Sequence, residues 1–225
     1  MIKVENIKVY NIARAIYSAR NAHESWDKSD SDLENDIVGE NDLELAKKLY
    51  KAGSSHRKYL RQCFVTMDVT APLYIWKEIS TYKVGTVTNS CSTIHSIHKK
   101  EFTLDDFSHE HLEGAGLSTL LNVIERMNTA RKYYIGKYDN VQFDVDKQAY
   151  WWEMIQLLPS SYNQMRTLTM NYENAVNIIQ QRTGHKLDEW KEFVKILSEL
   201  PYLKEIMEDN YYDTNRNTSI NIKGK

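Results

Sequence analysis

Residues 56–98 read HRKYLRQCFVTMDVTAPLYIWKEISTYKVGTVTNSCSTIHSIH, and the fold is read outward from this stretch. Residues 62–69 are rich in Phe, Val, Thr and Met, the composition of a strand. Pro72 then falls two places after Thr70, which serves as an N-cap; a missing N–H costs nothing there, so a helix is predicted to begin at Pro72. Leu73, Trp76, Ile79 and Ser80 share one side of that helix, with Lys77 and Glu78 on its flank. Residues 83–93 have no helical period and little charge, so they form a loop or an extended segment. Both cysteines, Cys63 and Cys91, fall in this stretch, as do His56, His95 and His98. Any chemistry is expected here, because most of the remaining chain reads as helical scaffold.

Toward the N-terminus, residues 6–20 place Ile7, Tyr10, Ile12, Ala15, Ile16 and Ala19 on one broad apolar face, which predicts a helix. Residues 23–40 are acidic, Ser-rich and aperiodic. They predict a mobile loop, either a solvated connector or a flap over a ligand. Asn41 and Glu44 have capping-box spacing, Leu45, Leu49 and Ala52 supply a stripe, and Gly53 ends the helix. Residues 56–61 form a short basic turn.

Toward the C-terminus, residues 102–107 suggest one helical turn, and the glycines at 114 and 116 break the chain. Leu117, Leu120, Leu121, Ile124, Met127, Arg131, Tyr134 and Tyr138 then define the longest helix. Residues 146–158 predict another, stopped by Pro159, and residues 164–170 a short strand. Residues 172–182 predict a helix with Ala175, Ile178, Ile179 and Arg182 facing inward. Leu187, Trp190, Val194 and Leu197 define a further helix, and Pro201 restarts a short one. Residues 214–225 are predicted to be a disordered tail.

At 225 residues the chain makes one large domain or two small ones. Net charge is −2, so no whole-molecule field attracts nucleic acid or an anionic membrane, and any anion site must be local. No apolar run reaches the roughly 18 residues of a membrane span. The first residues, MIKVENIKVYNIARAIYS, lack a signal pattern, which predicts a cytoplasmic protein. The two cysteines have neither metal-ligand nor disulfide-framework spacing. His95 and His98 lack a matching pair of ligands, so no metal site is expected. Fifteen tyrosines and five tryptophans suit a Tyr-rich core, subunit interfaces or ring-stacking pockets.

The order of parts resembles the flavin-dependent thymidylate synthases (ThyX) over roughly residues 5–208. Two segments carry the resemblance: FVTMDVTAPLYIWKEISTYKVGTVTNSCSTIH at 64–95 and LPSSYNQMRTLTMNYENAVNIIQQRTGHKLDEW at 158–190. It implies a single α/β domain over residues 1–213, helix-rich, with helices packed on a small mixed sheet. It also implies homotetramers whose active sites combine several subunits. The implied activity is FAD-dependent reductive methylation of dUMP or a related pyrimidine nucleotide. Methylenetetrahydrofolate would donate the carbon and flavin the hydride. The alternative is a ThyX-fold protein that binds a nucleotide, or serves a structural role, without flavin chemistry.

That alternative arises from the family hallmark. Its Arg-His-Arg falls on Thr81, Tyr82 and Lys83, and the preceding glutamine on Glu78. Its serines fall on Thr86 and Cys91, its glutamate on Asn89, and its Arg-Tyr on Thr93 and Ile94. Asn171 and Arg182 match the family's asparagine and nucleotide-holding arginine. The strand arginine falls on Met165, one place from Arg166.

The resemblance places the nucleotide against Arg182, Asn171, Glu78, Asn89, Ser90, Ser92 and Arg166. A buried guanidinium at Arg182 requires an anion, either a bound phosphate or a carboxylate such as Glu173. Asn89, Ser90 and Ser92 suit a base edge or sugar, and equally a capped loop. The cofactor would meet Lys83, Tyr82, Thr86 and His56. Tyr82 can stack on a ring, but Lys83 lacks the fixed fork of an arginine, so flavin binding is expected to be weakened or reshaped. Cys91 is the candidate nucleophile toward C6 of uracil if Lys83 or His95 lowers its pKa; otherwise it is an inert packing residue.

Overall fold

The computed structural model describes residues 1–136 and 146–214, with side chains as far as residue 208. In chain order the elements are β1 (Lys3–Tyr10), α1 (Ile12–Ser18), α2 (Glu40–Lys51), β2 (Phe64–Pro72), α3 (Leu73–Ile79), β3 (Thr86–Ser90), α4 (Thr93–Ser96), α5 (Gly114–Tyr134), α6 (Lys147–Leu157), β4 (Asn163–Asn171), α7 (Tyr172–Arg182), α8 (Asp188–Ser198) and α9 (Leu203–Thr214). The strands form a four-stranded antiparallel sheet in the order β1-β2-β4-β3.

The chain divides into two compact units. The first comprises residues 1–5, 68–81 and 88–167. The second comprises residues 6–67 and 82–87 together with the chain from Leu168 onward. Each strand begins in one unit and ends in the other.

Backbone bonds fix the sheet register. In the second unit the Tyr172 N–H donates to the Cys63 carbonyl at 3.0 Å, and the Asn171 N–H donates to that of Gly85 at 3.2 Å. In the first, Leu73 donates to Tyr162 at 3.0 Å and Cys91 to Met165 at 3.0 Å. Side chains alternate across a pleated strand, so register decides which face each residue joins. In β2 the buried set is Val65, Met67, Val69 and Ala71, while Thr66, Asp68 and Thr70 take the other face. In the first unit the register sets Gln164 and Arg166 on the face of Ala71 and Val69. On the opposite face the Thr167 hydroxyl donates to the Asp68 carboxylate at 2.6 Å.

The core of the first unit joins Ile97, Phe102 and Phe107 to Leu120, Ile124, Met127 and Ala130 of α5 and Met154 of α6. Ile75, Trp76 and Ile79 of α3 are also buried. The second unit buries Ile12, Ala13, Ala15 and Ile16 of α1, Ala46 and Tyr50 of α2, Ala175, Ile178 and Ile179 of α7, and Trp190, Phe193 and Leu197 of α8.

Several expectations are corrected. Residues 6–10 are strand rather than helix. Asn6 and Asn11 adopt left-handed backbone conformations, with φ 54° and 67°, and Ile7 and Tyr10 are exposed, so the helical face shrinks to α1. The helix expected at Pro72 starts at Leu73, with Pro72 itself in the N-cap position. The chain break expected at 114–116 lies before Gly114, where α5 begins. Leu121, placed on the apolar face of that helix, is exposed. Tyr138 and the tail beyond Thr214 lie outside the described residues.

The stretch 23–40, expected to be mobile, carries a three-ten turn at Trp26–Lys28 and a bridge between Asp32 and Ile37. It and the preceding Ala19–His23 turn are tied to α2 through the buried Asp42 carboxylate. Arg20 Nε donates to Asp42 Oδ1 at 2.6 Å, with the two side chains 6% and 0% exposed. The hydroxyls of Ser29 and Ser31 donate to the other oxygen of Asp42. The capping box expected from Asn41 and Glu44 does not form, because the N-cap falls two residues earlier, at Gly39. The carboxylate of Asp30 instead accepts the N–H groups of Asn41 at 2.9 Å and Asp42 at 3.2 Å. A remote loop residue thus satisfies the orphan donors of the first turn.

Asp42→Ala leaves Arg20 buried without its counter-charge, and the expected loss is about 3–5 kcal/mol, measured by urea unfolding. The N–H bonds of Asn41 and Asp42 hold the Asp30 carboxyl below its ordinary 3.8. A folded-state pKa lowered in this way contributes stability above the unfolded value, which is lost as pH falls through the folded one. Acid melts of Asp30→Asn should therefore show less loss of stability below about pH 4 than the parent chain.

Candidate functional site

In the first unit, β4 carries Arg166 on the buried sheet face. Its guanidinium lies over the Trp76 ring at 4.6 Å from the centroid. Arg166 Nε donates to Gln164 Oε1 at 3.0 Å. Gln164 is itself fixed, since its Nε2 donates to the Cys91 carbonyl at 2.7 Å. Trp76 Nε1 donates to the Gln164 carbonyl at 2.8 Å, which holds the ring under the guanidinium. Burial pushes the Arg166 pKa down. Among the described residues no carboxylate stands within ion-pair range of it. A half-buried cation without a counter-charge is a receptor for an anion.

The same register sorts the other expected residues of this unit. Ser90 lies across the β3–β4 ladder from Arg166, on the same face. Asn89 and Cys91 alternate onto the opposite face, where Cys91 pairs with Met165. Met165 is 39% exposed and Cys91 is exposed. The fold therefore does not bring the Cys91 thiol and the Arg166 guanidinium to one side of the sheet. Ser92 caps α4, accepting the His95 N–H at 3.2 Å. Glu78 sits half-buried on the flank of α3.

In the second unit, Arg182 closes α7. Its Nε donates to Tyr82 Oη at 2.9 Å, and its guanidinium lies 4.6 Å from the Trp190 ring centroid and 5.7 Å from that of Tyr82. Tyr82 is 9% exposed, and its hydroxyl also meets Gln181 Oε1 at 3.1 Å. Glu173, the alternative partner for Arg182, pairs instead with Arg57 at 3.0 Å. The Arg182 charge is thus cradled by π faces and a phenol oxygen.

Asn171 is the N-cap of α7, its Oδ1 accepting the Asn174 N–H at 2.9 Å. Its Nδ2 packs against Gly85 so closely that a Cβ there would stand 2.2 Å away. Gly85 also has φ +72°, which glycine tolerates best. Asn174 Nδ2 donates to the Val84 carbonyl at 2.5 Å and to Thr86 Oγ1 at 2.7 Å. Tyr82, Thr86, Asn171 and Arg182 therefore belong to one network. Lys83 and His56 stand exposed outside it.

Sequence reading missed Gln164, Trp76 and Asn174 as supporting residues. Gln164 left a signal, a polar residue at an inward strand position. Trp76 and Asn174 left none, because apolar helix faces and helix asparagines are common.

No family sequence model matches the chain, and no curated protein matches it. Solved structures do. Thymidylate synthase X (ThyX) from Helicobacter pylori with FAD and dUMP superposes at TM-score 0.64 and 15% identity, covering 93% of this chain and 98% of that one. A second structure of flavin-dependent thymidylate synthase ThyX from Helicobacter pylori, complexed with FAD and dUMP, gives TM-score 0.63 and 15% identity over 92% and 98% of the two chains. These likenesses establish a mixed α/β fold of the ThyX kind.

Burial pushes the Cys63 thiol up to about 12, whereas Cys91 is exposed. A thiol-reactive dye should label one cysteine of the native chain, lost in Cys91→Ser, and reach Cys63 only on denaturation. Gly85→Ala forces Asn171 off its cap and should cost at least about 1–3 kcal/mol, seen as a lowered melting temperature.

Proposed function

We propose that this chain is a ThyX-fold protein that binds a pyrimidine nucleotide of the dUMP class by its phosphate, without flavin chemistry. One observation carries the reading: Arg166, stacked on Trp76 and oriented by Gln164, has no carboxylate partner among the described residues. A guanidinium fork binds phosphate oxygens in pairs, and locked neighbours reduce the ordering cost of binding. Ser90, across the ladder, adds a neutral donor. The presence of dUMP in both Helicobacter pylori structures supports the choice of nucleotide.

The residues at the family hallmark do not fit a tightly held FAD. Its diphosphate calls for fixed cations. The Thr81 hydroxyl is spent on the Glu78 carbonyl at 2.7 Å, and the Tyr82 ring is buried beside Trp190 at 6.2 Å between centroids. Lys83 alone offers charge there, as an exposed point on a flexible stem. The second reading is the full synthase, reductive methylation of dUMP with methylenetetrahydrofolate and flavin. It is favoured by the joint presence of FAD and dUMP in the solved relatives of the fold.

Thermal melting with added dUMP tests the proposal. A ligand that binds only the folded chain stabilises it by about 2.7 kcal/mol at a hundredfold excess over Kd. The melting temperature should rise with dUMP and not with uridine. Arg166→Gln should abolish the rise while leaving the circular dichroism spectrum unchanged. An equal rise in Arg166→Gln would contradict the proposal.

A further inference from the structure

Arg20 lines an open cleft of about 370 Å³ in the second unit, together with Lys28, Asn41, Leu45 and Lys48. Three of these five residues are cations. Arg20 is 6% exposed, and its Nε is held by Asp42, which fixes its position. Lys28 and Lys48 come from different segments, the Trp26–Lys28 turn and the last turn of α2. Neither lysine has an ion-pair partner among the described residues. Two acids temper the charge of Arg20: Asp42 directly, and Asp30, whose carboxyl feels Arg20 as its smallest influence. Glu44 answers mainly Lys47, with Lys48 a lesser influence. The helix end is not the receptor, because the N–H groups of Asn41 and Asp42 are already bonded to Asp30.

We infer that this cleft is a phosphate-binding site, taking inorganic phosphate or a small phosphomonoester between Lys28, Lys48 and Arg20, with the Asn41 amide as a neutral partner. Two lysines and a positioned guanidinium suit a tetrahedral dianion better than a carboxylate, which offers fewer acceptors and one charge. The cleft is large enough for a phosphate with a short organic substituent. The bound anion would link the Trp26–Lys28 turn to α2, in addition to the bonds of Ser29 and Ser31 to Asp42. The site uses none of the residues assigned to the nucleotide.

Lysine acylation read by peptide mass spectrometry on the full chain tests this site individually. Only the neutral amine is acylated, and a bound dianion raises the pKa of a neighbouring ammonium, so occupancy slows acylation by about tenfold. Inorganic phosphate should protect Lys28 and Lys48 saturably, leave Lys3 and Lys8 unprotected, and be unmatched by chloride at equal ionic strength. Leu45→Glu places a carboxylate in the cleft and should weaken that protection about tenfold. Glycerol phosphate that protects at lower concentration than inorganic phosphate would identify a phosphomonoester as the occupant; the reverse order would identify free phosphate. Absent protection, protection shared by Lys3 and Lys8, or full protection by chloride would overturn the site.

Discussion

The backbone pairing of β2 and β3 with β4 is the constraint on which the site depends. Tyr172 to Cys63 and Leu73 to Tyr162 lock one side of β4, while Asn171 to Gly85 and Cys91 to Met165 lock the other. Because side chains alternate, this register alone decides that Arg166 joins the buried face and Met165 the exposed one. A slip by one residue would exchange them, exposing Leu168 and Met170 and burying Thr167 and Thr169. The apolar alternation of Val65, Met67 and Val69 in β2 opposes such a slip, so the packing of the core also sets the position of the cation.

The two arginines, one in each unit, solve the burial of charge differently. Arg182 is received between the rings of Tyr82 and Trp190 and bonded to the Tyr82 hydroxyl. Arg166 has a ring on one side and an amide on the other, which orient it without neutralising it. The second arrangement leaves its charge without a carboxylate partner among the described residues. Tyr82, a stacking candidate for a cofactor, is committed to Arg182.

Much of the fold was readable from local pattern. Residues 172–182 form a helix over the expected span, Pro159 follows the end of α6, and Gly53 follows the end of α2, because each rests on neighbours in sequence. The failures are non-local. Asp30 caps a helix that starts ten residues later, so the expected box at Asn41 and Glu44 was misplaced. Residues 6–10 share a helical period with α1 by coincidence, and sheet pairing overrides it. The site was only partly readable for the same reason. Arg182 and Arg166 could be singled out, but the role of Tyr82 depends on Trp190, more than a hundred residues away. Likewise, the placement of Cys91 depends on a register that its own neighbours do not encode.

The chain thus combines a ThyX-like fold with an arginine on the inner sheet face that has no carboxylate partner among the described residues, while the segment Thr81–Tyr82–Lys83 offers a single exposed cation. The proposal of nucleotide binding without flavin chemistry rests on that difference. The most direct measurement is the near-ultraviolet and visible absorption spectrum of the purified protein, before and after incubation with FAD and removal of the excess. A protein without flavin bands in both states is the predicted result. Flavin absorption that stays with the protein would contradict the account and restore the full synthase reading.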